Sequence, residues 1–198
     1  KNVSNLIVKV FEINTHNFYE QNLSEVNTDI NLDGLVPNWE QVLQYETPPL
    51  RRIKRHFEFP ELKRPGVYVI DFIGNGKSSR ALIRKGRLHA SWETTPAGQR
   101  VTVYDHSNQP LPEATVWLGG RQYTPNEQGM LLIPFSNRPG RVPMILSAGQ
   151  FSSLDYLQHE SEAYTLEGGM YVDREALLRN RQAEVLVRPM LKVNDVHK

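Results

Sequence analysis

The feature that most constrains this chain is an apolar alternation with a period of two, in short segments separated by turn residues. Such alternation is typical of strands with one buried face, and clusters of Gly, Pro and Asn between the segments mark turns. The pattern is most regular after Leu88, where it predicts six strands: residues 101–104, 114–118, 130–135, 142–146, 165–172 and 183–187. Many short strands with this punctuation predict a β-sandwich.

The same period recurs earlier in the chain. Residues 6–13, 67–73 and 80–84 alternate or are rich in β-branched and aromatic side chains, so they are predicted strands. Residues 51–59 place Ile53, Phe57 and Phe59 on one face and are predicted as a further strand. The stretch 51–56 is strongly basic. It suits either contact with an acidic partner or a solvated edge strand, of which we favour the edge strand.

Between residues 14 and 50 the pattern changes. Phe18, Tyr19, Leu23 and Val26 share one face of a predicted short helix, with Asn17 as its N-cap. Residues 39–43 are predicted to form a second helical turn, which the prolines at 48 and 49 would end.

A break in the apolar pattern between residues 86 and 98 marks the expected domain boundary. The 198 residues are enough for two small domains. We therefore expect a mainly all-β chain of two consecutive immunoglobulin-like β-sandwiches. Residues 1–87 form the first, with short helices inserted in a long connection (14–50), and residues 88–198 form the second.

Composition narrows the function classes. The 23 Lys and Arg residues nearly balance the 22 Asp and Glu, so the net charge of +1 argues against a nucleic-acid binder. The absence of cysteine excludes disulfides, zinc–thiolate sites and thiol nucleophiles. No apolar run is long enough for a membrane span. The chain begins with Lys1, and we expect a piece of a longer protein.

One stretch matches a calcium-binding loop. Asp29, Asn31, Asp33 and Glu40, with Gly34 at the turn, have the spacing of an EF-hand loop over residues 29–40. Calcium is therefore the one candidate cofactor, and these four residues are its candidate ligands. The competing interpretation is a connection in which Ile30 and Leu32 face the core and the Asp and Asn side chains cap turns.

The other candidate motifs do not indicate an enzyme. Residues 74–78 (GNGKS) resemble part of a phosphate-binding loop, but Asp71 stands where the pattern requires glycine, and a strand follows, so a hairpin turn is predicted. The six histidines form no metal-binding pair on a predicted helix, and no serine lies in a G-x-S-x-G motif. We therefore expect no catalysis.

Residues 101–105, 109–116 and 123–129 together resemble the hairpin signature of macroglobulin domains of the alpha-2-macroglobulin family. Asn108, Glu113 and Pro125 depart from the family pattern at two glycines and an aspartate. Residues 65–70 are similar to a late strand of such domains. Residues 173–188 resemble the entry into a further domain, so they either begin a third domain or complete the second.

The resemblance implies a non-catalytic scaffold fragment of a large, exported bacterial protein. Its partners would be neighbouring domains of that protein or another protein. Full-length members trap proteases, many through a thioester that requires cysteine, which this chain lacks. The alternatives are the calcium-stabilised binding module and a carbohydrate- or peptide-binding sandwich with Trp92 or Trp117 as its platform. Of these two tryptophans, Trp117 lies in an alternating strand, a position more typical of the core.

Overall fold

A computed structural model describes residues 3–46, 52–180, 182–194 and 196–197. The mainly all-β fold class is confirmed, because these residues form antiparallel strands with a single α-helix, α1 (Thr15–Asn22), and a 3-10 turn at Arg174–Ala176. The strands are β1 (Asn5–Ile13), β2 (Trp39–Gln44), β3 (Gly66–Gly74), β4 (Lys77–Lys85), β5 (His89–Thr95), β6 (Gly98–Tyr104), β7 (Thr115–Leu118), β8 (Arg121–Tyr123), β9 (Leu131–Ile133), β10 (Gly140–Ala148), β11 (Phe151–His159), β12 (Tyr164–Val172), β13 (Val185–Val193) and β14 (Val196–His197).

Sheet I has the strand order β2-β1-β3-β4. Val8 and Val10 point to one face of β1, and Phe11 and Ile13 point to the other, so both faces of the sheet carry apolar side chains. The β3–β4 turn is Asn75-Gly76, both with positive φ (51° and 71°), as a two-residue hairpin turn requires. The prediction of a hairpin turn at GNGKS is confirmed.

Sheet II (β5-β6-β9) and sheet III (β11-β10-β7-β8) face each other as a sandwich. Its core is built from alternate residues of both sheets, including Val101, Val116, Ile133 and Leu146. Buried Gln99 joins the sheets, because its Nε2 donates to the Gln158 carbonyl (2.8 Å) and its Oε1 accepts from the Glu160 amide (3.0 Å).

Sheet IV (β12-β13-β14) follows as a long hairpin with a short third strand. Among the described residues, no helix has the length and apolar character needed to cross a membrane. The expected division at residue 87/88 lies between β4 and β5, and it remains a prediction.

Three local predictions were wrong. Residues 39–43 belong to strand β2, not to a helical turn; Trp39 and Leu43 are four residues apart, and that spacing puts them on one face of a strand as well as of a helix. The N-cap of α1 is Asn14, whose side chain accepts from the Asn17 amide, and not Asn17 itself. Residues 52–59 form no strand, and the prolines at 48 and 49 lie outside the described residues.

Candidate interaction surfaces

The outer face of sheet III carries an apolar row. Trp117 lies opposite Ile145, and Ile145 lies opposite Leu154, so the three side chains cross β7, β10 and β11 on one face. Their neighbours Met144 and Leu146 point the other way, into the sandwich core. Ile145 is fully buried, which means that the outer face of sheet III is covered as well as its inner face.

The cover is the first part of the chain. Helix α1 packs against β10 and β11, and sheet I lies behind it. We call the resulting cluster the junction core; its buried members are Phe11, Ile13, Tyr19, Val26, Leu32, Val67, Val69 and Ile145, with Trp117 and Leu154 at its margin. Trp117 is therefore part of the core and not a ligand platform, whereas Trp92 on β5 is exposed.

A polar seam runs beside the junction core. His16 Nδ1 and Ser147 Oγ are 3.2 Å apart, and Ser147 Oγ is 2.8 Å from Ser152 Oγ. The Ser152 amide donates to Thr15 Oγ1 (3.2 Å), so both of the first two helix residues bind the β10–β11 hairpin. The seam borders a cleft of about 640 Å³ that is also lined by Glu12, Asn38 and Arg64.

The seam brings a serine hydroxyl and a histidine ring together, as in a serine–histidine catalytic pair. Nucleophilic catalysis needs a base that is itself oriented by a third group. The hydrogen bonds of the described residues give His16 no carboxylate partner. What the structure shows is a hydrogen-bonded contact between α1 and the hairpin.

Two arginines hold the connection between α1 and β2. Arg80 donates to the carbonyls of Ile30 (2.8 Å) and Thr28 (3.3 Å), and Arg84 donates to the Val26 carbonyl. Arg80 is in turn paired with the largely buried Asp71 (Nε to Oδ2, 3.8 Å). These bonds hold the connection over the edge of the junction core.

Tyr19 closes the same edge. Its hydroxyl donates to Glu25 (3.1 Å), and Glu25 also pairs with Arg84 (3.3 Å). Burial of the phenol, reinforced by the Glu25 carboxylate, raises the pKa of Tyr19 well above its usual range. The phenol therefore stays neutral and acts as a hydrogen-bond donor.

The four candidate calcium ligands are not gathered by the structure. Asn31 accepts from the Asp33 amide, and Asn27 accepts from the Asp29 amide, so the Asn side chains close turns. Glu40 lies on β2 and pairs with Lys9 of β1 (3.5 Å). Among the described residues, no three acidic or histidine side chains form a group that could hold a metal ion. The calcium site remains an untested prediction.

The competing interpretation of that stretch describes what is seen. Leu32 is buried in the junction core, and Ile30 packs against it. The apolar residues at alternate positions therefore serve the core, and the polar residues between them form turns.

The segment that follows the basic stretch packs over the other face of sheet I. Phe57, Phe59 and Leu62 pack against the cluster formed by Val8, Val10, Tyr68 and Ile70. The basic side chains before them are exposed: Arg52, Lys54, Arg55 and His56. Phe57 and Phe59 pack on one side, as their alternation predicted, but Ile53 is exposed and the described residues 52–59 form no strand.

A last surface was not identified from the sequence. Sheet IV exposes large apolar side chains, among them Leu166 (74% exposed) and Met170 (77% exposed). The alternation within residues 164–172 and 185–193 is the signal that could have found it. The contact between His16 and Ser147, 131 residues apart, has no such signal.

Comparison with known proteins supports an immunoglobulin-like fold for the first part of the chain. Residues 6–86 match a family model described as the first immunoglobulin-like domain of AbpF. The chain is 41% identical over 202 aligned residues to actin-binding protein F of Dictyostelium discoideum, and the alignment covers 98% of the chain. It spans only 8% of the length of that relative. No solved structure matches significantly.

These matches correct three expectations. The resemblance to macroglobulin domains and the bacterial origin are not supported, because both matches lead to an AbpF protein, and the relative comes from Dictyostelium. The expected export is wrong, since the name of the relative identifies an actin-binding protein, and actin is a cytoskeletal protein. What the comparisons support is an immunoglobulin-like domain over residues 6–86, within a chain similar to one segment of a much larger protein.

Proposed function

We propose that this chain is a non-catalytic structural segment of a larger actin-binding protein, in which it holds neighbouring domains at a fixed spacing. The observation that carries the proposal is the junction core. Sheet I and the outer face of sheet III share one buried cluster, with α1 between them. A linker without buried contacts would allow the two parts to rotate freely, whereas a shared apolar core resists such motion.

The actin connection comes from the relative. That protein is named for actin binding, and this chain is similar to 8% of it. A segment of that size is suited to spacing, and the actin-contacting surface then lies elsewhere in the larger protein. The net charge of +1 supports this division, because it gives the segment no overall attraction to an acidic filament.

The non-catalytic part of the proposal is supported by the relative, whose name describes actin binding. His16 and Ser147 have a structural role in it, as a contact between α1 and the β10–β11 hairpin.

A spin-label experiment tests the fixed spacing. Because the chain has no cysteine, labels are placed at Ser79→Cys on β4 and Glu113→Cys before β7, both at exposed positions. We expect one narrow distance distribution, and a broader one when Ile145→Ala removes a fully buried junction side chain. Leu132→Ala, on the exposed side of β9, is the matched control and should leave the distribution unchanged.

A broad distribution in the otherwise unsubstituted chain would show that the two parts move independently and would overturn the spacer role.

Co-sedimentation with actin filaments tests whether the actin-contacting surface lies outside this chain. We expect the chain to stay in the supernatant and the full-length protein to pellet. Pelleting of the chain itself would make it a filament contact instead.

A further inference from the structure

Sheet IV has one face that is built for burial. In the β12–β13 register, Leu166 lies opposite Leu191, and Met170 lies opposite Val187. The alternation of the two strands is in phase with their pairing, so one face carries most of the apolar side chains and no charged ones. Its members are Tyr164, Leu166, Met170, Val172, Val185, Val187, Pro189, Leu191 and Val193.

The opposite face has a different character. Thr165 lies opposite Lys192, Gly169 lies opposite Arg188, and Glu167 pairs with Lys192 at 2.7 Å. This face also carries Tyr171, Leu186 and Met190, but all the charged side chains of the two strands lie on it. It is therefore a mixed face, whereas the first face has no charged side chain. This is the pattern of one half of a β-sandwich.

The base of the hairpin is anchored. Val193 is buried, and Asn194 binds the linker before β12, accepting from the Ala163 amide (2.6 Å) and donating to the Ser161 carbonyl (2.9 Å). Beyond this base the apolar face is open: Leu166, Met170 and Val187 are each more than half exposed. Contiguous exposed apolar side chains of this kind are typical of an interaction surface.

The edge of the sheet shows where further strands can join. Strand β14 pairs with β13 only through Val193–Val196 and Lys192–His197, so among the described residues the edge of β13 from Val185 to Leu191 has no pairing strand and can take one from another segment. The relative, of which this chain matches 8%, has ample sequence for further strands. A covering sheet supplied by the same chain avoids the loss of translational and rotational freedom that a separate partner incurs on binding.

We propose that the apolar face of sheet IV is the inner face of a further β-sandwich, completed by the segment that follows residue 198 in the larger protein. The proposal rests on the proposed function only in placing the chain within a larger protein. It makes residues 164–193 the opening hairpin of a third domain and not the end of the second.

Thiol protection tests the proposal. Leu166→Cys places a thiol on the apolar face, and Thr165→Cys places one on the opposite face of the same strand. Alkylation rates are measured in the 198-residue chain and in the full-length protein. We expect both thiols to react rapidly in the short chain. In the full-length protein the alkylation rate of the thiol at 166 should fall by about tenfold or more, as expected for a buried site. The thiol at 165 should stay reactive.

Equal reactivity of the thiol at 166 in the two chains would overturn the proposal. Protection of that thiol in the short chain that increases with protein concentration would show that a second copy, and not the following segment, covers the face. Protection in the full-length protein only after actin filaments are added would show that actin covers it. None of these readings involves the junction core, so failure here is distinct from failure of the spacer role.

Discussion

Gln99 shows how much a single polar side chain contributes to this sandwich. It is fully buried on β6, and its amide satisfies the Gln158 carbonyl on β11 and the Glu160 amide just after that strand. A buried polar group is tolerated only when its hydrogen bonds are made, and here one side chain satisfies two backbone groups. Gln99 therefore acts as a polar link within an apolar core.

Replacing Gln99 with leucine should destabilise the chain. The substitution keeps the size of the side chain but leaves the Gln158 carbonyl and the Glu160 amide without their partner. We expect a loss of roughly 2–4 kcal/mol in the free energy of unfolding, measured by urea denaturation. Gln122→Leu, on the exposed strand β8, is the control and should change the stability by less than about 0.5 kcal/mol. An equal effect of the two substitutions would contradict the role of Gln99.

Tyr19 predicts a pH dependence. The unfolded phenol loses its proton near pH 10, but the folded phenol keeps it because burial and Glu25 raise its pKa. Above pH 10 the folded state therefore binds more protons than the unfolded state, and stability falls as the pH rises. Tyr19→Phe should cost about 1 kcal/mol at pH 7 through the lost hydrogen bond.

The two stability curves should converge in alkali, because only the unsubstituted chain loses stability through this phenol. The measurement is the free energy of unfolding of both chains between pH 8 and pH 11. Curves that stay parallel over this interval would show that Tyr19 does not contribute to the pH dependence.

At the scale of elements, the connection between α1 and β2 shows that a sequence can match the spacing of a calcium loop while its side chains serve other roles. The spacing of Asp29, Asn31, Asp33 and Glu40 fits a calcium loop, yet Leu32 between them is buried and Glu40 extends a strand. A spacing motif records separation along the chain. It does not record which side chains the core takes up.

The calcium prediction has a direct test. Since the structure leaves these ligands apart, thermal melts in EDTA and in calcium should coincide. A saturable increase in melting temperature with calcium, lost in Asp33→Ala and kept in a control such as Glu20→Ala on the exposed side of α1, would establish the site after all.

Elements with a local signal were the predictable ones. The strands at 6–13, 67–73 and 142–146 were recognised because their alternation is strong, and the Asn75-Gly76 turn because few residues adopt its backbone conformation. Strand β5 was missed because Trp92 is its main apolar residue, and β8 was missed because it has only three residues. Phe57 and Phe59 alternate as in a strand but pack without forming one.

For the whole molecule, the junction core predicts joint unfolding. Trp39 lies on sheet I and Trp92 on sheet II, so each reports on one part of the chain. In a Trp117→Phe background, variants that retain only one of these two tryptophans should give coincident urea transitions. Two separate transitions would show that the parts fold independently.

Ile145→Ala should destabilise both parts together, because Ile145 is fully buried where they meet. We expect a loss of about 3 kcal/mol, the usual cost of truncating a buried aliphatic side chain. Both tryptophan signals should shift to lower urea by the same amount. Leu132→Ala, an exposed aliphatic position, should shift neither; a shift in one signal alone would contradict the shared core.

The sequence by itself determined the fold class, most strand positions and the hairpin turns, because alternation and turn chemistry depend on residues close together along the chain. Only the tertiary structure decided what covers each sheet. The contacts of His16 with Ser147 and of Ile145 with the first part of the chain join residues more than 70 positions apart. Burial between such distant segments depends on how whole apolar surfaces match, and a local pattern does not encode that match.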